Sequence, residues 1–97
     1  MVEENKNLIF KDVPREILTY LLKRGEEYIF GLSVNLVRSY KSVYDSIKYL
    51  EKEGLVTITK RGRRKCVNLT EKGKAIAQMF NEIESKEVSK NEGLGSV

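Results

Sequence analysis

The chain has 97 residues, 33% of them charged and 40% hydrophobic, which suits one domain with a single core and leaves no room for a separate effector domain. Its longest apolar runs are a few residues, too short to cross a bilayer, and the mixed-charge start MVEENKN lacks the pattern of a secretory leader, so a soluble cytoplasmic protein is expected. One cysteine, Cys66, and no histidine exclude an internal disulfide and leave no plausible zinc-ligand set.

The net charge is +4, from 18 basic and 14 acidic residues. The excess is local. KRGRRK, residues 60–65, carries five cations and no acid, so taking +5 from +4 leaves the rest of the chain close to −1. That distribution is expected of a domain that touches a polyanion at one place.

Residues 1–7 are polar and predict a flexible start, with the ordered domain spanning 8–86 and a second flexible tail at 87–97, where periodicity fades and Gly and Ser accumulate. The first predicted helix is DVPREILTYLLKRG: Asp12 is a candidate N-cap, the single proline, Pro14, lies in the first turn, and Gly25 follows Lys23 and Arg24 at the end. Ile17, Leu18, Leu21 and Leu22 form its apolar stripe. Tyr28 and Ile29 predict a very short strand, followed by a short helix over 30–37 with Leu32 and Leu36 four apart. Ser39 offers an N-cap for a third helix reaching about Glu53, with Val43, Ile47 and Leu50 at i, i+4 and i+7 and Gly54 as its stop.

After Gly54 the period changes from helical to alternating. LVTIT, KRGRRK and CVNLT predict a β-hairpin with a basic tip, in which Val56, Ile58, Val67 and Leu69 share one face. Thr70 then starts a last helix whose Ile76, Met79, Phe80 and Ile83 fall at i, i+3, i+4 and i+7.

This order and these residues resemble the winged helix-turn-helix family. The family pattern of an apolar residue, a helix with Leu, a small residue and Leu, a turn, and a Ser or Thr cap before the recognition helix is matched by Ile29, Leu32, Ser33, Leu36, Ser39 and Val43, continuing through Ile47 and Leu50 into LEKEGLV. CVNLTEKG is similar to the second wing strand and the start of the last helix in MarR-type and PadR-type regulators, so the match covers roughly residues 13–83. One departure is the turn, where Val37 and Arg38 stand in place of the usual glycine and apolar residue. The resemblance implies an α+β, mainly α, winged helix-turn-helix fold.

It also implies double-stranded DNA as partner, with the third helix in the major groove and the wing on phosphates or in the minor groove. KRGRRK is then the wing tip: Gly62 allows the reversal, and Lys60, Arg61, Arg63, Arg64 and Lys65 fan around it. A solvated hairpin kept soluble by its charges is the alternative. On the recognition helix the residues turned away from the apolar stripe are Tyr40, Lys41, Ser42, Tyr44, Asp45 and Lys48. Lys41 and Lys48 suit guanine or phosphate, Ser42 suits either, Asp45 suits cytosine, and the tyrosines suit phosphate or a thymine methyl; both tyrosines also suit the rim of the core. Ser39 is mainly a cap, with its amide where the helix dipole favours a phosphate.

Cys66 falls on the opposite strand face from Val67 and Leu69, which allows an exposed thiol with a pKa lowered by Arg64 and Lys65, open to redox control of the wing; an inert lone cysteine is the alternative. The last helix and the N-terminal Leu8, Ile9 and Phe10 offer apolar surface beyond the minimal motif. The resemblance implies a homodimer through terminal helices, with recognition helices about 34 Å apart; the alternative is that both segments complete the monomer core. Nothing in the chain marks an enzyme: there is no histidine, nucleophile motif, phosphate loop or metal cluster, and no cofactor is expected. A winged helix that binds protein, or a nonspecific architectural or single-strand binder, are the competing readings.

Overall fold

The computed structural model describes the backbone of residues 12–96 and the side chains of residues 12–83. The chain runs α1 (Asp12–Arg24), β1 (Glu27–Tyr28), α2 (Ile29–Leu36), α3 (Tyr40–Lys52), β2 (Val56–Arg61), β3 (Arg64–Leu69) and α4 (Glu71–Ser96). This is the mainly helical winged helix-turn-helix architecture expected from the sequence. The short strand falls one residue earlier than 28–29, because Ile29 already belongs to α2 and is buried beneath it.

The first three helices turn their apolar stripes inward. Ile17, Leu18 and Leu21 of α1 meet Ile29 and Leu32 of α2 and Val43, Ile47 and Leu50 of α3 in one core, closed by Leu55, Val56 and Val67 below and by Ala77 and Phe80 of α4. Ser39 is the N-cap of α3: its hydroxyl accepts the Ser42 N–H at 3.1 Å, satisfying a donor that the first turn leaves without a partner. Thr70 does the same for α4, accepting the Gly73 N–H at 3.0 Å while donating to the Gly54 carbonyl at 2.7 Å. Gly73 is required there by contact, since a Cβ would collide with the Leu55 carbonyl oxygen.

The sheet has the order β1-β3-β2, antiparallel throughout. Pairing continues to the last residues before the reversal, Arg61 opposite Arg64, so Gly62 and Arg63 alone form the loop. Gly62 has φ +63° and Arg63 has no positive φ, the pattern of a two-residue turn with glycine at its first central position.

Two expectations change. Of the proposed α4 stripe, Phe80 is buried and Ile76 half-buried, but Met79 and Ile83 are exposed, because Ala77 turns inward where a wider stripe would need Met79. The α4 backbone is helical from Glu71 to Ser96; extending a formed helix needs far less than nucleating one. Cys66 is buried at 1% exposure, for reasons given below. Leu8, Ile9 and Phe10 lie outside the described residues.

The turn between α2 and α3 shows how the chain manages without the usual glycine. Val37 takes the left-handed conformation (φ 55°, ψ 52°), with its N–H on the Val34 carbonyl at 3.2 Å and the Arg38 N–H on the Ser33 carbonyl at 3.0 Å. Arg38 then pairs with Glu16 of α1 through both Nε and an Nη, at 3.1 and 2.7 Å. A β-branched residue in this region is strained by roughly 1–2 kcal/mol, and the Val37 side chain, 86% exposed, recovers none of it by burial. Val37→Gly will therefore stabilise the domain by about 1 kcal/mol, after allowing for the extra freedom of glycine in the unfolded chain. Thermal melts should show a midpoint higher by a few degrees; a lower midpoint would mean that the valine side chain makes a stabilising contact that outweighs its backbone strain.

Candidate nucleic-acid interface

Two elements carry the residues that the sequence singles out. On α3, Tyr40, Lys41, Asp45 and Lys48 are exposed, whereas Ser42 and Tyr44 are half-buried. Lys41 and Asp45 pair at 3.0 Å, and Lys48 pairs with Glu51 at 3.2 Å. These are exposed i, i+4 and i, i+3 contacts, worth a few tenths of a kcal/mol each and readily exchanged. Tyr40 stacks on Tyr44, with centroids 6.2 Å apart and planes 15° from parallel. Tyr44 also packs on the core, so it is the rim aromatic that its spacing allowed.

The wing folds its cations toward the helices unevenly. The Lys65 ammonium lies 5.7 Å from the Tyr44 ring centroid, which joins wing and α3 directly. Arg64 lies over the Tyr28 ring at 4.9 Å. Such contacts between cation and ring contribute about 0.5–1 kcal/mol at exposed sites. Lys60 and Arg63 have no ion pair among the described residues. Arg61 differs from the other four: its two terminal nitrogens hold the Glu26 carboxylate at 2.8 and 3.1 Å. It therefore points back to the segment before β1.

The same carboxylate explains Cys66. Paired residues share a face, so Cys66, Thr59 and Tyr28 lie together opposite the core face that holds Val67 and Ile58. Alternation thus places the thiol correctly, but that face is covered there: Cys66 is 1% exposed, with the Glu26 carboxylate beside it and Arg61 paired to Glu26. Burial first, and Glu26 second, push the thiol pKa up, against the smaller lowering by Arg61. The expected exposed, acidified cysteine is corrected accordingly. Glu26 is held below the usual carboxylate range, first by Cys66 and then by Arg61. Its folded-state pKa is depressed, so its contribution to stability is present at neutral pH and lost as pH falls through that range.

Glu26, Tyr28, Phe30 and the Glu16–Arg38 pair are the parts that sequence reasoning missed. Glu26 and Arg61 are 35 residues apart, and no local spacing signals such a pair. Phe30 had a legible signal: with Val34 it is one of two apolar residues of α2 that fall off the Ile29, Leu32 and Leu36 arc, and it stands 68% exposed beside the wing.

A helix-turn-helix with a basic hairpin packed beside its second helix defines the winged-helix class. Residues 38–81 match a family model described as the DUF6293 C-terminal winged helix domain. AF1382 from Archaeoglobus fulgidus is similar at 30% identity and TM-score 0.73, covering 84% of this chain and 93% of that one. A transcriptional regulator homologue from Pyrococcus horikoshii OT3 is 21% identical with TM-score 0.74, covering 92% and 94%. The adhesin competence repressor AdcR from Streptococcus pyogenes is 24% identical with TM-score 0.79, covering 96% of this chain and 71% of its own. No curated protein matches the chain. The chain belongs to the winged helix-turn-helix family.

The covered thiol makes a direct prediction. In the native protein at pH 8, Cys66 will react with a soluble aromatic disulfide at least roughly ten times more slowly than in the urea-unfolded chain. Equal rates would show that the Glu26 and Arg61 cover does not persist in solution.

Proposed function

We propose that this protein is a small regulator of transcription that binds double-stranded DNA in the cytoplasm as a homodimer. The observation that carries this reading is the junction of wing and reading helix: Lys65 rests on Tyr44, so the basic tip and the polar face of α3 form one continuous surface. In this reading α3 enters the major groove, where Tyr40, Lys41, Ser42, Asp45 and Lys48 face base edges and Tyr44 supports them from the rim. Ser39 presents the amide end of α3 to a phosphate. The Lys41–Asp45 pair is weak enough to open, freeing one partner for a base and the other for its complement.

Lys60, Arg63, Arg64 and Lys65 supply phosphate or minor-groove contacts. Arg61 contributes less than the sequence suggests, because its guanidinium must first leave Glu26. Regulation is the reading favoured by the similar structures, of which one is a transcriptional regulator homologue and another an adhesin competence repressor. Dimerisation is favoured by Met79 and Ile83, exposed apolar residues on α4 that the monomer core leaves uncovered.

The test is a binding titration on random-sequence duplex over a salt series. Wild type will bind with log K falling steeply against log salt, and R63A/R64A/K65A will have a slope shallower by about 2–3. Arg61→Ala alone will change the slope by less than about 1. Absence of salt-sensitive binding at roughly 50 mM salt would remove the DNA reading. For the dimer, light scattering at micromolar concentration will give twice the chain mass, and Met79→Glu will halve it by placing a charge in an apolar interface. A wild type of single-chain mass would remove the dimer.

A further inference from the structure

Between the wing and the start of α2 lies a cleft of about 480 Å3. From the helical side Phe30 and Tyr40 line it, 68% and 48% exposed; from the wing come Arg63, Arg64 and Lys65. The Phe30 ring does not serve the fold, since α2 is anchored by Ile29, Leu32 and Ser33. Tyr28 also lines the cleft, its ring already carrying Arg64. Glu27 is the one acid in the lining, and it is spoken for: Oε1 accepts the Tyr28 N–H at 2.8 Å, and Oε2 accepts the Tyr20 hydroxyl at 3.1 Å and the Asn35 amide at 3.2 Å. Three cations against one engaged carboxylate leave the cleft positive.

Flat apolar walls beside clustered cations suit a ligand that joins a planar ring to an anion, which is the chemistry of a nucleotide. A fully paired duplex offers this cleft phosphates alone, because its bases are sealed in the stack. An unpaired nucleotide offers both parts. We propose that the cleft takes an unpaired nucleotide of DNA, its base on Phe30 and Tyr40 and its phosphate against Arg63, Arg64 and Lys65. This rests on the DNA-binding reading above and deepens it: the preferred site contains a single-stranded extension or opened base pairs next to the duplex held by α3.

The chain contains no tryptophan, so Phe30→Trp places a single reporter in the cleft. The emission of F30W will be quenched saturably by the single strand dT8, and the same concentration of inorganic phosphate will leave it unchanged. With the wild type, a duplex bearing a dT4 extension will bind about tenfold more tightly than the blunt duplex. Phe30→Ala, an exposed change whose circular dichroism should match wild type, will erase that advantage and leave blunt-duplex affinity within about twofold, as expected when stacking but no phosphate contact is removed. Equal wild-type affinity for blunt and extended duplexes, or equal weakening of both by Phe30→Ala, would overturn the proposal. Quenching by dTMP at the concentrations effective for dT8 would overturn the nucleic-acid source and assign the cleft to free nucleotides. If dT8 binds through Phe30 while blunt duplex shows no affinity, the cleft stands and the duplex reading falls, so the two failures are distinguishable.

Discussion

Everything that faces outward in this protein is oriented by one inward arc, the Val43, Ile47 and Leu50 stripe of α3 against Ile17, Leu18 and Leu21 of α1. Each of these side chains is essentially inaccessible to water, and burying one contributes about 1.5–3 kcal/mol. Rolling α3 by a single residue would take several kcal/mol of burial with it, a large part of the stability of a small domain. The direction of Tyr40, Lys41 and Lys48 is therefore set by residues that never reach the surface. The wing is set in the same way, since Val56 and Val67 anchor its base in that core while Lys65 leans on α3.

Much of this was legible in the sequence because its cause is local. A stripe at i, i+4 and i+7, a serine before it and a glycine after it report a helix through contacts within a few residues of one another, and α3 runs where they place it. The hairpin was legible because alternation and Gly62 act over two residues. The cover on Cys66 was not: alternation assigned the correct face, but whether that face is wet depends on Glu26, forty residues earlier in the chain, in the link between α1 and β1. The inward turn of Ala77 in place of Met79 was hidden for a related reason. Both positions fit a helical stripe, and the choice between them is made by the width of the core that α4 meets.

The wing also illustrates why a run of like charges is not a uniform surface. Arg61 is tied to Glu26, Arg64 and Lys65 sit over rings, and Lys60 and Arg63 have no ion pair among the described residues. Five cations adjacent in sequence thus differ in how much each must give up before meeting a new anion. Strand alternation sends Arg61 and Arg64 to one face and Lys60 and Lys65 to the other, and the partners within reach, Glu26, Tyr28 and Tyr44, then set each cost.

The ladder that runs to the Arg61–Arg64 pair, leaving two residues of loop, has a consequence for association. Most of the ordering entropy of this prong is already surrendered when the domain folds. Whatever meets the tip meets a rigid surface, so the heat-capacity change on binding will report the area covered and little coupled folding. Encounter will also be fast and strongly dependent on ionic strength, since no slow rearrangement of the prong stands between collision and contact.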